Sequence, residues 1–457
     1  MAMTARKSTD PTVAIAPLRR ATVIGLGRTG LSVVAHLRRA GVEVIVTDSR
    51  QDPPGFAHLA GSMPEVPVRL GGFDDAALEG ADAVIVSPGV SLDEPIVQTA
   101  IRQGLPVIGD IELFARSVEA PVIAVTGTNG KSTVATLVAA MAQRSGRRVL
   151  AGGNLGTPAL DLLLEPVPEL YVLELSSFQL DTTQSLVPLA ATVLNVTPDH
   201  MDRYASLEHY AASKARIFEG AEVAVVNLDD PLVRAMPRPG QRTIGFSLRP
   251  DPGATYHAVQ ERSDAVLYRD SRRLAGLSEL KLSGLHNASN ALAALALAEG
   301  AGLELDGCLA ALREFPGLAH RTQWVADIAG VRWINDSKGT NVGATIAAVE
   351  GLRGPLIVIA GGDGKGQDFS PLVPAFAGKV RHTVLIGRDA DRLGKALAGA
   401  CTTEFADDLA DAVARAARIA MPGDTVLLSP ACASLDMFRD YTHRGDVFVT
   451  AVGELSR

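Results

Sequence analysis

The chain contains the stretch Thr126-Gly127-Thr128-Asn129-Gly130-Lys131-Ser132-Thr133 between two apolar runs, 121–125 and 134–141. These runs predict a buried strand and a helix joined by a glycine-containing loop. In such a loop, glycines turn backbone N–H groups toward phosphate oxygens, the lysine supplies positive charge, and the next hydroxyl reaches a magnesium ion. Val125 stands where the usual pattern has a glycine. The sequence therefore predicts a nucleoside triphosphate site in a shortened phosphate loop, with a plain helix-opening turn as the alternative.

The composition excludes several classes of partner. The 457 residues suffice for about three domains, and 47% hydrophobic with 21% charged residues describes a globular protein. A formal net charge of −8 argues against a general affinity for nucleic acid or anionic membranes and favours small-molecule partners. The three cysteines are far apart in sequence, which indicates a reducing compartment. No long apolar run precedes Arg19, so we predict no signal peptide or membrane span and a cytoplasmic location.

Alternating strand and helix patterns predict an α/β fold of three domains. We expect a Rossmann-like N-terminal domain over 1–110, a central phosphate-loop ATPase-like domain over 111–317, and a Rossmann-like, mostly parallel C-terminal domain over 318–457. The predicted strands are 21–24, 42–47, 83–87, 171–175, 192–196, 222–227, 331–335, 356–360, 383–387 and 425–429. The predicted helices include 31–39, 111–116, 207–218 and 288–299.

A second glycine-rich loop follows the first predicted strand. Gly25-Leu26-Gly27-Arg28-Thr29-Gly30 opens a helix, and Asp48 stands at the end of the next strand, which is the spacing of a dinucleotide fingerprint. Its chemistry is a helix N-terminus that receives a diphosphate, so other nucleotide diphosphates would satisfy it equally well. A tight turn without a ligand is the alternative. Ser87-Pro88-Gly89 follows a further strand and is expected at the same sheet edge.

Polar residues also follow the strands of the central segment. Glu174 ends a predicted strand near the phosphate loop and is a candidate magnesium ligand. Asn195-Val196-Thr197-Pro198-Asp199-His200-Met201-Asp202-Arg203-Tyr204 follows another strand, and Lys214 lies on the next predicted helix. Taken singly, Glu174 would be a solvated loop residue, His200 a capping or core histidine and Lys214 an exposed lysine.

Three loops of the third segment are expected to converge at one sheet edge. They are 335–341, 361–366 and 429–436, and each directly follows a predicted strand. Their exposed backbone amides and lysines suit a carboxylate or a phosphate. Cys432 lies among them without an evident general base, so a small buried residue is favoured over a nucleophile.

The ordered set of motifs resembles that of the Mur ligases of peptidoglycan synthesis, from Gly25 to Gly445, and most strongly the members that join D-glutamate to UDP-N-acetylmuramoyl-L-alanine. The motifs that carry the resemblance are TGTNGKST at 126–133, ELSSFQL at 174–180, NVTPDHMDRY at 195–204, HNASNALAA at 286–294, NDSKGTN at 335–341, GGDGKG at 361–366 and SPACASLDMF at 429–438.

The resemblance implies an ATP-driven amide bond made through an acyl phosphate, with two magnesium ions. It implies that Lys214 is a carbamate, formed by addition of carbon dioxide to its amine, and that the protein is a monomer. The implied catalytic residues are Lys131, Glu174, His200, Lys214 and Lys338. The implied metal ligands are Ser132, Glu174, His200 and Lys214.

The resemblance also implies the substrate contacts. Those for ATP are Gly127, Thr128, Asn129, Gly130, Lys131, Ser132, Thr133, Asn287, Asn290, Arg321 and Asp336. Those for the UDP-linked substrate are Leu26, Arg28, Thr29, Asp48, Ser49, Arg50, Ser87, Gly89, Asn154 and His200. Those for D-glutamate are Thr340, Lys365, Ser434 and Tyr441. Arg28 and Tyr441 depart from the family pattern, which commonly has an uncharged residue and a phenylalanine there.

Rival interpretations fit parts of the sequence. An NAD-dependent dehydrogenase accounts for the first glycine loop and Asp48 but not for the phosphate loop. Folylpolyglutamate synthetase shares the phosphate loop but not a full nucleotide-binding domain before it. A non-enzymatic ATP sensor has no need of Glu174, His200 and Lys214 together. The Mur ligase that adds a dibasic residue carries a different first domain and an arginine-containing motif that is not evident here.

Overall fold

The computed structural model describes residues 18–154, 156–261, 264–282, 284–352 and 354–455. These residues form three β-sheets, and one sheet lies in each of the three predicted segments. The N-terminal stretch 1–17, for which the sequence predicts no signal peptide, lies outside the described residues. Among the residues that the structure describes, none of the helices has the length and apolar character needed to cross a membrane.

The first sheet is built from βαβ units, as predicted. Its elements are β1 (Arg20–Ile24), α1 (Arg28–Arg39), β2 (Glu43–Asp48), α2 (Phe56–Ser62), β3 (Val68–Leu70), β4 (Ala83–Val86), α3 (Pro95–Arg102) and β5 (Val107–Ile108). All strand pairs are parallel, in the order β3-β2-β1-β4-β5. The strand order reverses between β1 and β4, where open α/β sheets form a ligand crevice. The loops at 25–30 and 87–89 follow these two strands and therefore meet there.

The central sheet is larger than the sequence predicts. Its elements are α4 (Asp110–Ser117), β6 (Val122–Thr126), α5 (Lys131–Arg144), β7 (Val149–Gly153), α6 (Ala159–Leu162), β8 (Leu170–Glu174), α7 (Ser177–Asp181), β9 (Ala190–Val193), α8 (Leu207–Ala215), β10 (Val223–Asn227), α9 (Pro231–Arg234), β11 (Arg242–Ser247), β12 (Ala254–Glu261), β13 (Asp264–Arg269), β14 (Arg272–Gly276), α10 (Leu285–Gly300) and α11 (Leu305–Glu314). The order is β14-β13-β12-β11-β10-β9-β6-β8-β7, and the pairs β12–β13 and β13–β14 are antiparallel.

Two predicted boundaries in this segment are wrong by a few residues. The predicted strand 192–196 ends at Val193, because the chain then curves around the phosphate loop and the Thr128 N–H donates to the Asn195 carbonyl over 2.9 Å. The predicted helix 207–218 ends at Ala215 and continues as a 3-10 helix, Arg216–Phe218.

The helix α10 anchors the centre of the molecule. It is alanine-rich and buried along almost its whole length, and its residues pack in one apolar core with those of α5 and the central sheet. Side chains such as Leu292 and Leu295, at 0% and 1% exposure, each contribute about 2 kcal/mol of burial. The N-terminal end of α10 is thereby fixed beside the phosphate loop, where Asn290 approaches Gly130.

The third sheet is mostly parallel, as predicted. Its elements are β15 (Gln323–Ile328), β16 (Val331–Asn335), α12 (Val342–Gly351), β17 (Leu356–Gly361), α13 (Leu372–Phe376), β18 (Val380–Ile386), α14 (Ala390–Ala396), β19 (Thr402–Phe405), α15 (Leu409–Ile419), β20 (Thr425–Leu428) and α16 (Tyr441–Glu454). The order is β15-β16-β20-β17-β18-β19, with only β15 antiparallel to its neighbour among these described strands. The edge strands β15 and β19 were not predicted, because their residues are half exposed and lack a clear apolar pattern.

Candidate active site

The phosphate loop has the backbone that its glycines allow. Gly127 and Gly130 have φ angles of +146° and +85°, which favour glycine. A side chain on Gly130 would also place its Cβ 2.4 Å from Asn290 Oδ1. Gly130 directly precedes α5, so the loop delivers the chain to a helix N-terminus, where backbone N–H groups favour an anion.

Lys131 folds back over this loop. Its Nζ donates to the Gly127 and Thr128 carbonyls, each over 2.9 Å. Burial lowers the pKa of Lys131, and the Glu174 carboxylate opposes that shift. The ammonium is therefore held at the loop by neutral carbonyl groups, from which an anionic phosphate could draw it.

Glu174 and Ser132 form the oxygen-donor pair of the site. The Ser132 hydroxyl donates to Glu174 Oε2 over 2.6 Å, and the Asn154 amide donates to Oε1 over 2.8 Å. Glu174 is 4% exposed at the end of β8. Arg321, from the third segment, donates to the Ser132 hydroxyl oxygen over 2.6 Å. Four predicted site residues from distant parts of the sequence therefore meet here.

The donor chemistry fits a magnesium ion that arrives with phosphate. Within the described part of the chain, no group of three or more histidine, cysteine or carboxylate side chains could hold a metal by itself. Glu174 and Ser132 do offer adjacent oxygens, the ligand type that magnesium prefers. Because magnesium is commonly held by one or two protein carboxylates and substrate phosphates, this pair suits a metal–nucleotide complex.

His200 lies on an aromatic cluster of three side chains, Phe178, Tyr204 and Tyr210. Its ring centroid is 5.0 Å from that of Phe178 and 6.4 Å from that of Tyr210. Its φ of 56° is uncommon for a residue with a side chain. Burial lowers the pKa of His200, and nearby lysines, led by Lys365, lower it further against the opposing effect of Asp199. His200 is therefore neutral at pH 7, the form that binds metals.

Lys214 is a buried cation in the same cluster. It is 1% exposed, its Nζ donates to the Gly127 carbonyl over 3.1 Å, and it lies 4.3 Å from the Tyr210 ring centroid. Burial lowers the pKa of Lys214 well below its ordinary value, and the charge of Lys131 lowers it further. The structure thus contradicts the ordinary exposed lysine that this residue would be if taken singly.

The third segment also reaches the phosphate loop through Asn341, which was not among the predicted site residues. The Asn341 amide donates to Asp199 Oδ2 over 3.1 Å and to Asn129 Oδ1 over 3.4 Å. Lys338 also lies near the loop. Burial, together with the charges of Arg321 and Lys131, lowers the pKa of Lys338 to about 8. Asn341 lies inside a quoted motif, but nothing in the sequence indicates its partners.

The three loops of the third segment converge as predicted. The Ser429 hydroxyl donates to Asp336 Oδ2 over 2.8 Å, and Asp363 pairs with Ala433 in an isolated β-bridge. Burial raises the pKa of Asp336 to about 6. Cys432 is 0% exposed, which confirms the predicted buried residue, and burial raises the pKa of its thiol to about 12.

The predicted D-glutamate contacts lie on or beside these loops. Lys365 follows Asp363 with a φ of +47°, and Ser434, at 4% exposure, follows the bridged Ala433. Tyr441 begins α16, and Lys338 Nζ lies 4.2 Å from its ring centroid. Thr340 N–H donates to the Lys338 carbonyl over 2.8 Å. Compared with a phenylalanine at this position, the hydroxyl of Tyr441 makes the ring on which Lys338 rests more polar.

The predicted adenosine contacts lie at the start of α10. The Asn290 amide donates to Asn287 Oδ1 over 3.2 Å, and both residues are buried. Asp336 is linked to this region through Thr322: its Oδ1 accepts from the Thr322 N–H over 3.0 Å, and the Thr322 hydroxyl lies 3.2 Å from His286 Nε2 on α10. The structure thus brings the two asparagines into contact with each other, and it ties Asp336 to the loop that also carries Arg321.

In the first segment, Asp48 acts as a structural acceptor. Its carboxylate is 2% exposed and accepts from the Leu26 N–H over 2.7 Å and from the Arg50 N–H over 2.9 Å. The Arg50 guanidinium adds bonds of 2.9 Å and 2.7 Å. These four hydrogen bonds use Asp48 to hold the glycine loop and Arg50 in place. This structural role weakens the dehydrogenase interpretation, in which the Asp48 carboxylate would accept from an NAD ribose.

The remaining first-segment residues surround the crevice at the carboxyl ends of β1 and β4. The Ser87 hydroxyl donates to the Gly25 carbonyl over 2.8 Å. Arg203, from the His200 loop of the central segment, donates to the Val90 carbonyl over 3.0 Å and to the Gly89 carbonyl over 3.4 Å. Among the predicted contacts at this edge, Arg28, Ser49, Arg50 and Gly89 are exposed and therefore available to a ligand, and Thr29 is half-buried. Nothing in the residue pattern indicates the Arg203 bridge.

The fold and site define a three-domain α/β protein of the phosphate-loop class. Three family profiles match it in order: the MurD-like N-terminal domain of Mur ligases at 19–109, the Mur ligase middle domain at 125–298, and the glutamate ligase domain of Mur ligases at 320–432. The chain belongs to the Mur ligase family.

Relatives and solved structures agree with this assignment. The chain is 51% identical to the UDP-N-acetylmuramoylalanine–D-glutamate ligase of Nitrosococcus oceani, over 95% of this chain and 96% of that protein. It is 50% identical to the ligase of the same name from Methylococcus capsulatus, over 96% and 95%. The structure is similar to a pseudomurein peptide ligase type C from Methanothermus fervidus, with a TM-score of 0.60, 19% identity and coverage of 96% and 100%. It is also similar to UDP-N-acetylmuramate–alanine ligase from Thermotoga maritima, with a TM-score of 0.59 and 20% identity, over 96% of this chain and 100% of that chain. These two structures support the fold alone.

Proposed function

We propose that the protein joins D-glutamate to UDP-N-acetylmuramoyl-L-alanine with ATP as the energy source, a step of peptidoglycan precursor synthesis. The observation that carries the proposal is the meeting of Ser132 and Glu174 at 2.6 Å beside the phosphate loop, with Lys131, Lys214 and Arg321 around them. Relatives of about the same length that carry this name support the choice of substrates.

The reaction has two balanced steps. An oxygen of the alanyl carboxylate attacks the γ-phosphorus of ATP, and the bond from that phosphorus to the β,γ-bridging oxygen breaks. ADP departs, and the substrate now carries an acyl phosphate. The amine of D-glutamate then adds to the acyl carbon and loses a proton, and the tetrahedral intermediate expels inorganic phosphate. The products are ADP, phosphate and one new amide bond.

The site addresses the crowding of negative charge in the first step. A carboxylate must approach a triphosphate, and like charges a few ångströms apart repel strongly in a partly buried site. Lys131, Lys338 and Arg321 place positive charge around the loop, where it stabilises charge on the transferring phosphoryl group. Two magnesium ions would be held by Ser132, Glu174, His200 and Lys214 and would supply further charge neutralisation.

Lys214 serves this site best as a carbamate. The unprotonated amine is the form that adds carbon dioxide, and the lowered pKa of buried Lys214 favours that form. The neutral amine nitrogen adds to the carbon of carbon dioxide, one C=O π bond opens to give an anionic oxygen, and the nitrogen releases a proton, so a side chain that is ordinarily cationic becomes an anionic oxygen donor. That change of sign explains how a lysine can lie where a metal ligand is needed.

We assign one substrate to each domain: the UDP moiety to 1–110, ATP to 111–317 and D-glutamate to 318–457. One chain supplies all three sites, so we propose a monomer. The three cysteines are free among the described residues, in keeping with the reducing cytoplasm that we propose as the location.

The test is phosphate release from ATP by the purified protein with UDP-N-acetylmuramoyl-L-alanine. Release is expected only when D-glutamate is added, with L-glutamate as the matched control. Equal release without D-glutamate, or a clear preference for another amino acid, would contradict the proposal.

A further inference from the structure

Asp181 holds together the two elements that carry His200 and Lys214. It is the last residue of α7, and its carboxylate accepts hydrogen bonds from two hydroxyl groups. The Tyr204 hydroxyl donates to Oδ2 over 2.8 Å. The Ser213 hydroxyl donates to Oδ1 through a short hydrogen bond. Each carboxylate oxygen therefore accepts from one hydroxyl group, one from the loop that carries His200 and the other from α8.

Both donors are immediate neighbours of the proposed machinery. Ser213 precedes Lys214 on α8, and both residues are almost completely buried, at 3% and 1% exposure. The Tyr204 N–H donates to the His200 carbonyl over 3.2 Å. A displacement of either hydroxyl would therefore move the backbone that carries His200 or Lys214.

The aromatic cluster transmits the same restraint through side chains. The rings of Tyr204 and Phe178 are parallel within 1° at 5.7 Å, and Tyr204 is 5.1 Å from Tyr210, centroid to centroid. His200 lies on Phe178 and Lys214 on Tyr210. The hydroxyl contact with Asp181 fixes Tyr204 in its plane and thereby fixes the surfaces on which both side chains rest.

The helix α7 connects Asp181 rigidly to Glu174. The turn after Glu174 is closed by a capping box, in which the Ser176 hydroxyl accepts from the Gln179 N–H and the Gln179 side chain accepts from the Ser176 N–H. Glu174 ends β8 three residues before α7 begins. One short rigid unit therefore carries Glu174 at one end and the acceptor for Tyr204 and Ser213 at the other.

We propose that Asp181 is a positioning residue of the ligase reaction, which sets His200 and Lys214 at a fixed distance from Glu174. This inference rests on the proposed function, because that function gives His200, Lys214 and Glu174 a common task. The role assigned to Asp181 is one of positioning, since each of its two oxygens accepts a hydrogen bond from a hydroxyl group of the protein.

The test is the Asp181→Asn variant, which keeps the shape but removes one acceptor oxygen and the charge. We expect kcat to fall about 10- to 100-fold, the usual effect of losing a residue that orients metal ligands. The KM for D-glutamate should stay within about twofold, because its predicted contacts lie in the third segment. The α8 helix should remain attached, since Arg216 also donates to the Leu180 and Thr183 carbonyls, each over 2.8 Å.

The route through Tyr204 is tested by a double-mutant cycle. If Asp181 acts through this hydroxyl, Tyr204→Phe should lower kcat as well, and the double variant should lose much less than the product of the two single effects. Independent, multiplicative losses would overturn this route. Asp181→Glu, which keeps two acceptor oxygens, should recover part of kcat.

The matched control is Asp229→Asn. Asp229 makes the same kind of contact, accepting from the Ser247 hydroxyl over 2.8 Å, and it is not one of the proposed site residues. Its kcat should equal that of the wild type. A wild-type kcat in Asp181→Asn would overturn the inference while leaving the proposed function intact, whereas an inactive wild type would overturn the proposed function itself. If Asp181→Asn fails to fold, Tyr204→Phe and Ser213→Ala test the same contacts, and normal kcat in both would overturn it.

Discussion

Replacing Lys338 by methionine should stabilise the third domain and abolish ligation. Burial first, and then the charges of Arg321 and Lys131, lower the pKa of Lys338 from 10.5 to about 8. At about 1.4 kcal/mol per tenfold change in proton affinity, the charged side chain destabilises the fold by about 3 kcal/mol at pH 7. The contact of the charged Lys338 ammonium with the Tyr441 ring offsets about 1 to 2 kcal/mol of this destabilisation. We therefore expect Lys338→Met to be more stable than the wild type by about 1 to 2 kcal/mol at pH 7.

The pH dependence separates this cause from simple repacking. The folded pKa lies below the unfolded one, so between pH 8 and 10.5 the unfolded state binds more protons and the stability of the wild type rises with pH. From pH 7 to pH 10 the wild type should gain about 1 to 2 kcal/mol relative to Lys338→Met, because the ring contact stabilises the charged form and offsets part of the cost of its burial. Groups that titrate in both proteins cancel in this comparison.

Tryptophan fluorescence during urea unfolding is a suitable assay. The chain has two tryptophans, Trp324 and Trp333, and both lie in the third segment with Lys338. Their signal reports the unfolding of that domain. Lys395→Met, which replaces an exposed lysine of the same segment, is the control and should follow the wild type at every pH. Identical pH dependence of Lys338→Met and wild type would refute the reasoning, as would normal phosphate release by Lys338→Met.

Three further variants test separate parts of the site. Lys214→Ala should reduce phosphate release to background and regain part of it with a short carboxylic acid that fills the vacated place; near-normal activity without the acid would refute the carbamate. Gly130→Ala forces a positive φ and a 2.4 Å approach to Asn290 Oδ1, so calorimetry should detect at least about tenfold weaker ATP binding with the UDP-linked substrate unaffected; unchanged ATP affinity would count against the loop assignment. Asp48→Ala should lose the UDP-linked substrate, and tight NAD binding by the wild type would restore the dehydrogenase interpretation.

The sequence predicts the parts of the fold that depend on local patterns. Buried parallel strands such as β6 and β17 are continuous apolar runs, and the phosphate loop needs glycines at fixed positions, so both are visible in one dimension. The hairpin strands β13 and β14 were missed, because each combines a short apolar run with charged residues: β13 runs from Asp264 to Arg269, and β14 opens with Arg272 and Arg273.

The sequence predicts a site residue only where the functional side chain lies within a recognisable local motif. Ser132 and Glu174 follow from their loops, whereas the approach of Arg321 and Asn341 depends on how the third domain packs against the second. Asp48 is correctly placed at the end of β2, but its neighbour Arg50 and the loop backbone use up its acceptors. Tertiary contacts of this kind have no signature in residue spacing.

The central claim is that the phosphate loop activates a carboxylate as an acyl phosphate. UDP-N-acetylmuramoyl-L-alanine labelled with oxygen-18 in the alanyl carboxylate tests it most directly, with D-glutamate and ATP present and the released phosphate analysed by mass spectrometry. We expect one oxygen-18 atom in each phosphate released, since the acyl oxygen leaves with the phosphoryl group. Phosphate that carries no label, released together with the amide product, would contradict it.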